Sequence, residues 1–362
     1  MRRILIFVNI GIGIIYLLAC LVPFVDAGKN WFIALAGLGF PLLFFALMGF
    51  IILWAILKSK CFWVSIIVLL FGFQQIISSF AFNIPKKFSL EKQQNVLRVM
   101  QWNVCSWDES DLKDNGTSFR PLMMDIVNVQ NSDVLCFEEF FEPPDTKSSG
   151  SIISTITQLG FPYHFYVPSY LGENDHEQGV AIFSKFPITD TALFSLDKNN
   201  LGEHLIYADI KVKARIFRIY CTHLQSVHFE GSEYEGLSKL KRARDPGFHE
   251  SKTIVSKLKT GYEFRYRQSE LVKQKIAESP YPAVICGDFN DVPNSNTYFE
   301  VKGNLQDAFL KSGFGIGRSF RYISPTLRID YILADKKFKV TQFQTIHVPY
   351  SDHYPIEADL QY

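Results

Sequence analysis

No CxxC pair occurs among the six cysteines, so the spacing that builds zinc ribbons is absent. Cys20 and Cys61 sit in apolar N-terminal stretches. Cys105, Cys136, Cys221 and Cys286 lie in or just after strand-like runs. They read as buried thiols that behave as small apolar residues, with a disulfide between neighbouring strands left open. An excess of basic charge is also lacking. The whole chain carries a formal charge of +1, and its first 83 residues hold five of the 37 basic and one of the 36 acidic groups. The remaining 32 basic and 35 acidic residues give the rest of the chain a formal charge of −3. A dedicated duplex-DNA binder shows a basic footprint that this net charge does not. There is no internal repeat and no low-complexity tract.

Charge is scarcest in residues 1–83, which are expected to be a membrane region. Ile4 to Val25, Trp31 to Leu57 and Cys61 to Phe82 are three almost uncharged apolar stretches. Each reaches the ~20 residues a helix needs to cross the hydrocarbon core, so three transmembrane spans are expected (4–25, 31–57 and 61–82). Arg2 and Arg3 precede the first span, and Lys58 and Lys60 fill the second loop. The positive-inside rule then places the N-terminus and second loop in the cytoplasm and the C-terminal domain outside. Lys86 and Lys87 oppose this, but they precede a long domain where the rule is weak. A competing reading makes Leu17-Leu18-Ala19-Cys20 a lipoprotein cleavage box. Residues 84–95, with Pro85 and several charges, read as a linker to a domain over 96–362.

From Val96 onward strand and helix signals alternate. Val96–Asn103, Val134–Phe140, Gly179–Ser184, Ala283–Cys286, Ile329–Leu333 and Ile356–Leu360 read as strands. Ile206–Val212 and Ile216–Thr222 form a hairpin, and Phe119–Asn131, Ile152–Leu159 and Gly261–Glu278 read as helices. Such alternation argues for α/β layers. The polar residues that matter fall at strand ends: Asn103, Glu138, Glu139, His223, Asp288, Asn290, Asp330, Asp352 and His353. Side chains at strand ends can converge on one cleft while the sheets hold them rigid.

These residues suit hydrolysis of a phosphate ester. Glu139, Asp352 and the amide oxygen of Asn103 are hard oxygen donors for a divalent cation. Asp288 can orient or deprotonate water. Asn290 and His223 can donate hydrogen bonds to phosphate oxygens. His353 is a titratable group that Asp330 can orient and keep protonated. A basic run, with Lys239, Lys241, Arg242, Arg244, Lys252, Lys257 and Lys259, reads first as a solvated helix pair and second as a rim for anionic groups.

The segments Gln101-Trp102-Asn103, Asp133 to Glu139, Gly179 to Ser184, Thr222-His223-Leu224, Gly287-Asp288-Phe289-Asn290, Arg328 to Tyr331 and Ser351-Asp352-His353 come in a recognisable order. Over residues 96–361 the chain resembles the endonuclease/exonuclease/phosphatase superfamily. That resemblance implies a four-layer α/β sandwich, two packed mixed sheets flanked by helices, and dependence on Mg²⁺ or Mn²⁺. It carries the metal-binding Glu to Glu139, the nucleophile-orienting Asp to Asp288, the paired Asp and His to Asp330 and His353, a metal-proximal acid to Asp352, and a further histidine to His223. The usual Gln before the metal-binding Glu is replaced by Glu138. The expected activity is a membrane-anchored phosphoesterase on a phosphodiester or phosphomonoester, with a lipid or inositol-phosphate headgroup as favoured substrate. An extracytoplasmic nuclease and an inactive membrane scaffold are the alternatives. The expected partners are the lipid bilayer and the phosphoester; the sequence points to no protein partner.

Overall fold

The computed structural model describes residues 1–108, 118–143, 150–171, 177–196, 203–227 and 248–362. It divides into two compact units. The first comprises Met1–Phe80, Ser226–Glu270 and Asp291–Val301, and the second Ala81–Gln225, Leu271–Asn290 and Lys302–Tyr362.

The first unit is helical. Helix α1 (Arg2–Cys20) is continued by a 3₁₀ turn, Val22–Phe24, and is, among the described residues, the one unbroken helix long and apolar enough to span a membrane. The two other expected spans are not straight. Helices α2 (Trp31–Leu38) and α3 (Phe40–Ile56) meet at 60°, and α4 (Phe62–Phe71) and α5 (Phe73–Ser79) at 72°. Each break falls at a glycine, Gly39 and Gly72, and Pro41 opens α3 with no N–H to give to the preceding turn. Each pair reaches span length only if counted as one bent span. The unit is inside out compared with a soluble core. Phe7, Ile14, Leu42, Ile52, Leu70 and Phe71 are exposed, whereas Asn9, Ser65, Gln75, Ser78 and Ser79 are buried. Ser65 Oγ donates to Asn9 Oδ1 at 2.8 Å, and Gln75 Nε2 donates to the Cys20 carbonyl at 3.0 Å.

The second unit carries two six-stranded mixed sheets. One contains β2 (Val96–Asn103), β3 (Val134–Phe141), β4 (Tyr163–Leu171), β5 (Glu177–Ser184), β13 (Lys339–Thr345) and β14 (Ile356–Gln361), ordered β13-β14-β2-β3-β5-β4. The other contains β6 (Ile188–Ser195), β7 (His204–Val212), β8 (Arg215–His223), β9 (Ala283–Asp288), β10 (Gln306–Asp307) and β12 (Asp330–Ala334), ordered β10-β12-β9-β8-β7-β6. A short pair, β1 (Ala81–Phe82) with β11 (Phe314–Gly315), stands apart. In each large sheet one central pair is parallel, β2 with β3 and β8 with β9, and every other pair is antiparallel. The carboxyl ends of two parallel pairs are therefore where loops gather.

Strand periodicity explains both cores. Val99, Val134, Cys136, Ile182, Ile206, Ile219, Cys221, Val284, Cys286 and Ile332 share one buried cluster. Their neighbours on the opposite face, Met100, Trp102, Leu135, Phe137 and Phe183, pack with Met123, Val127, Ile152 and Ile156. The last four belong to helices α6 (Arg120–Val129) and α7 (Ile152–Gln158). A two-residue repeat alternates side chains between the two faces of a strand. The expected two-sheet architecture with flanking helices is observed. None of the six cysteines is in a disulfide.

Candidate active site

Along four strands, the face that is apolar in mid-strand turns polar at one end. On β2 it runs Val99, Gln101, Asn103; on β3 Val134, Cys136, Glu138; on β8 Ile219, Cys221, His223; and on β9 Val284, Cys286, Asp288. Register aligns these ends: Asn103 lies across from Glu138, His223 from Asp288, and Asp330 from Asp288. Ile356 lies across from Gln101, so the loop just before β14 brings Asp352 and His353 to the same end.

Glu139 reaches this end by a local distortion. A regular strand would send Glu138 and Glu139 to opposite faces. The β3 register shifts between Phe137 and Phe140, and Glu139 has φ +47°. Such a bulge re-aims a side chain. Glu138 stays fully buried, while Glu139 Oε1 accepts from Asn103 Nδ2 at 3.0 Å and lies 3.8 Å from His223 Nε2. Asn290 likewise has φ +51°, a conformation asparagine tolerates, and its N–H donates to Asp288 Oδ1 at 2.8 Å.

Asp288 Oδ2 is the hub. It lies 3.2 Å from Asn103 Nδ2, 3.5 Å from His353 Nε2 and 3.7 Å from His223 Nε2. His353 Nδ1 bonds Asp330 Oδ2 at 2.9 Å, and the His353 N–H donates to Ser351 Oγ at 3.1 Å. Burial alone would lower the His353 pKa, but the Asp330, Asp288 and Asp352 carboxylates outweigh it and raise it well above the ordinary value. Burial, joined by the Asp330 charge, pushes Asp288 up to about 6, against the pull of His353 and His223.

His223 has a partner that sequence reasoning missed: its Nδ1 lies 3.3 Å from Glu203 Oε2. Glu203 precedes β7 by one residue and reads as an ordinary loop acid, so no pattern marks it. Burial would lower the His223 pKa, but Glu203, Asp288 and Glu139 raise it to about 10. Asn290 Nδ2 lies 3.0 Å from His223 Nε2 and also donates to the Leu224 carbonyl at 2.9 Å. An amide nitrogen cannot accept, so a proton on Nε2 needs another acceptor, and an incoming phosphate oxygen is one.

The residues expected at a metal fall into two kinds. Glu139 is partly exposed, and its one ion pair among the described residues is with His223. Asp352 is also partly exposed and accepts from Ser351 Oγ at 3.2 Å. Asn103 turns its nitrogen to the carboxylates, and its Oδ1 accepts the Cys105 N–H at 3.1 Å. As placed, it donates to Glu139 and Asp288. Asp288, Asp330 and His353 also lie close enough to hold an ion. Yet the His353 ring already lies between the two carboxylates, with Nδ1 2.9 Å from Asp330 Oδ2 and Nε2 3.5 Å from Asp288 Oδ2, so a cation there would compete with it. Glu139 and Asp352 each present a partly exposed carboxylate, the hard oxygen donor that a divalent ion prefers. Of the expected basic rim, Lys239, Lys241, Arg242 and Arg244 lie outside the described residues; Lys252, Lys257 and Lys259 are on helix α8 (Phe248–Ala277).

Two sequence families match. The profile of the Endonuclease/Exonuclease/phosphatase family covers residues 100–353, and that of a domain of unknown function covers residues 2–79. Comparison with curated proteins finds no match. Among solved structures, the human Nocturnin catalytic domain is similar at 20% identity and TM-score 0.53, covering 74% of this chain and 94% of its own. A family protein from Beutenbergia cavernae is 20% identical, with TM-score 0.54 and coverage of 74% and 72%. A mannosyl-6-phosphatase from Bacteroides thetaiotaomicron is 18% identical, with TM-score 0.52 and coverage of 74% and 100%. At these identities the likeness is one of fold.

Proposed function

The chain belongs to the endonuclease/exonuclease/phosphatase family and is an enzyme that hydrolyses phosphate ester bonds, and on that footing we propose a membrane-anchored, divalent-metal-dependent phosphoesterase acting on a phosphorylated headgroup. The observation that carries the chemistry is the pair of histidines, each held by a carboxylate on Nδ1, with Asp288 near both Nε2 atoms. Asp288 Oδ2 orients and deprotonates the attacking water. His353, held protonated by Asp330, and His223, held by Glu203, donate from Nε2 to phosphoryl oxygens, and Asn290 donates from Nδ2. A Mg²⁺ or Mn²⁺ ion, when bound by Glu139 and Asp352, supplies charge neutralisation at those oxygens. General acid–base groups in such a site contribute about 10²–10⁴-fold each.

The inside-out helical unit supports the membrane part, because apolar side chains face outward while Ser65 Oγ bonds Asn9 and Gln75 Nε2 bonds the Cys20 carbonyl inside. With Arg2 and Arg3 cytoplasmic, one span or three spans place the catalytic domain on the same, extracytoplasmic side. A reporter fused after Tyr362 tests this, and cytoplasmic behaviour would overturn it. The substrate class rests on the anchor and on the catalytic region's formal −3, which does not attract a polyanion. The mannosyl-6-phosphatase neighbour adds sugar phosphates to the panel.

The deciding assay uses the full chain in detergent micelles with Mg²⁺. The panel is phospholipid and sphingomyelin vesicles, inositol phosphates, mannose 6-phosphate, plasmid DNA and bis(4-nitrophenyl) phosphate. Turnover of a headgroup or small phosphoester, abolished by EDTA and restored by Mg²⁺ or Mn²⁺, is expected. Cleavage of DNA alone would replace this reading with a nuclease. Full activity in EDTA would remove the metal from it.

A further inference from the structure

Beneath the site, four strands contribute a chain of buried polar groups that the catalytic reading does not use. Gln101 Nε2, from β2, donates to Glu138 Oε2 on β3 at 2.6 Å and to Asp330 Oδ1 on β12 at 2.9 Å. Cys221 Sγ, from β8, approaches the other Glu138 oxygen at 3.3 Å. Gln101, Glu138 and Cys221 are fully buried, and Asp330 nearly so. We propose that Gln101 and Glu138 are positioning residues that fix the Asp330 carboxylate, and through it the His353 ring; this rests on the catalytic roles proposed above for Asp330 and His353.

Both amide hydrogens of Gln101 are committed, one to each acid, so the carboxamide cannot rotate without losing a bond. Its Oε1 has no partner among the described residues. A flipped amide would give up the bond to Asp330 Oδ1 and set its oxygen against that carboxyl, so it is the observed orientation that holds Asp330. Asp330 spends Oδ2 on His353 Nδ1 at 2.9 Å and Oδ1 on Gln101, which leaves its plane no freedom about the Cβ–Cγ bond. Remove the acceptor at position 138 and the amide keeps one bond of two; Asp330 can then twist, and the imidazole it holds tilts with it.

A merely structural pair would make a different prediction. Buried polar groups of this kind are costly, and apolar residues of similar volume often match or exceed their stability. If Glu138 serves only packing, Glu138→Leu should leave catalysis of the folded protein intact. If it positions Asp330, Glu138→Leu should lower kcat about 10–100-fold, the usual range for a group that orients a catalytic ligand, with KM unchanged. Glu138→Gln supplies an oxygen acceptor for Gln101 and an amide toward Cys221 Sγ. It should bring kcat back to within a few-fold of the parent, on the order of the scatter such conservative swaps show.

The experiment uses the full chain in detergent micelles with Mg²⁺ and bis(4-nitrophenyl) phosphate, comparing parent, Glu138→Leu, Glu138→Gln and Gln101→Met. A second readout needs no substrate: the low-field ¹H resonance of the His353 Nδ1–H held by Asp330. It should broaden or shift in Glu138→Leu and Gln101→Met and recover in Glu138→Gln. Parent-like kcat and an unmoved ring proton in folded Glu138→Leu would overturn the inference. Should Glu138→Leu fail to fold, Gln101→Met cuts the same bridge from the other side and is judged by the same two readouts. A parent chain that hydrolyses no phosphoester of the panel counts against the proposed function, and the ring proton then decides the positioning claim by itself.

Discussion

Two opposed demands meet at Asp288. In the role proposed for it, it must be ionised to take a proton from water, yet burial and Asp330 push its pKa up while His353 and His223 pull it down. Asp288→Asn keeps the shape and the Asn290 N–H contact but removes the base. His353→Ala removes a cationic donor. Each should lower kcat by about 10²–10⁴-fold with the melting temperature little changed. Asp330→Asn acts only through His353, so the double variant with His353→Ala should be little worse than His353→Ala alone. Losses that multiply in steady-state kinetics would show that the two act independently. Away from the site, Glu357 offers a stability test. Burial pushes its pKa up to about 7, against the hydrogen bonds from Ser132 and Gln344 and the charge of Arg98. The unfolded chain ionises this carboxyl near its ordinary ~4.5, before the folded chain does. Its protonated form is therefore favoured by folding, and that stability is complete below about 4.5 and lost as pH rises through about 7. Glu357→Gln should raise the melting temperature at pH 8 and change it little at pH 4.5. Parallel melting curves for parent and variant from pH 4 to 9 would contradict this.

Elements differ in how plainly the sequence announces them. The central strands β2, β3, β8, β9 and β12 are legible because both faces are covered and each carries a run of apolar residues with a polar one at an end of that run, and β14 because Ile356, Ala358 and Leu360 alternate with polar residues. Of the strands longer than two residues, those that the periodicity does not reveal are β4, β6 and β13, which are all sheet edges. β4 contains Pro168, and β13 is Lys-Val-Thr-Gln-Phe-Gln-Thr with no fully buried residue. An edge strand needs only half its residues to be apolar, and its signal sinks into that of a loop. The site was legible for the same reason as the central strands, since its residues terminate them. Glu203 and Gln101 were not. One sits outside any periodic run, and the other shows its role only through partners 37 and 229 residues away. Helical kinks were also invisible: uncharged length says nothing about a bend at Gly39 or Gly72. In the helical unit, a Cβ at Gly37 of α2 would lie 2.6 Å from the Asn294 carbonyl and 2.9 Å from a Val22 methyl. Gly37→Val should overpack this contact and cost about 1–3 kcal/mol, read as a lower melting temperature in micelles. An unchanged melting temperature would mean that the segment around Asn294 yields freely.

At the scale of the whole molecule, the helical unit is not built from the N-terminal segment alone. Asp291–Val301 follows the site residue Asn290 directly in the chain and belongs to that unit, as does the first part of α8. Its contacts there are specific. Asn294 Nδ2 donates to the Ala19 carbonyl at 3.0 Å and Asn296 Nδ2 to the Val25 carbonyl at 3.4 Å, both at the end of the first apolar helix. Tyr262 packs with Ala27 and Ala34, while Arg265 Nε holds Asp291 Oδ2 at 3.3 Å and Thr297 Oγ1 donates to the same oxygen at 2.8 Å. Deleting residues 1–79 would therefore strip Asn294 and Asn296 of acceptors and uncover Tyr262, leaving polar groups evolved for burial without partners. A chain starting at Ala81 should be less stable than the full protein, with earlier proteolysis between Asp291 and Val301 and a lower melting temperature. Because that stretch adjoins Asn290, its loosening should also lower kcat toward bis(4-nitrophenyl) phosphate, and restoring residues 1–79 should recover it. A shortened chain as stable, as protease-resistant and as active as the full one would show that the N-terminal helices are a detachable anchor, and that the contacts of Asn294 and Asn296 contribute nothing to holding the loop after the catalytic aspartate.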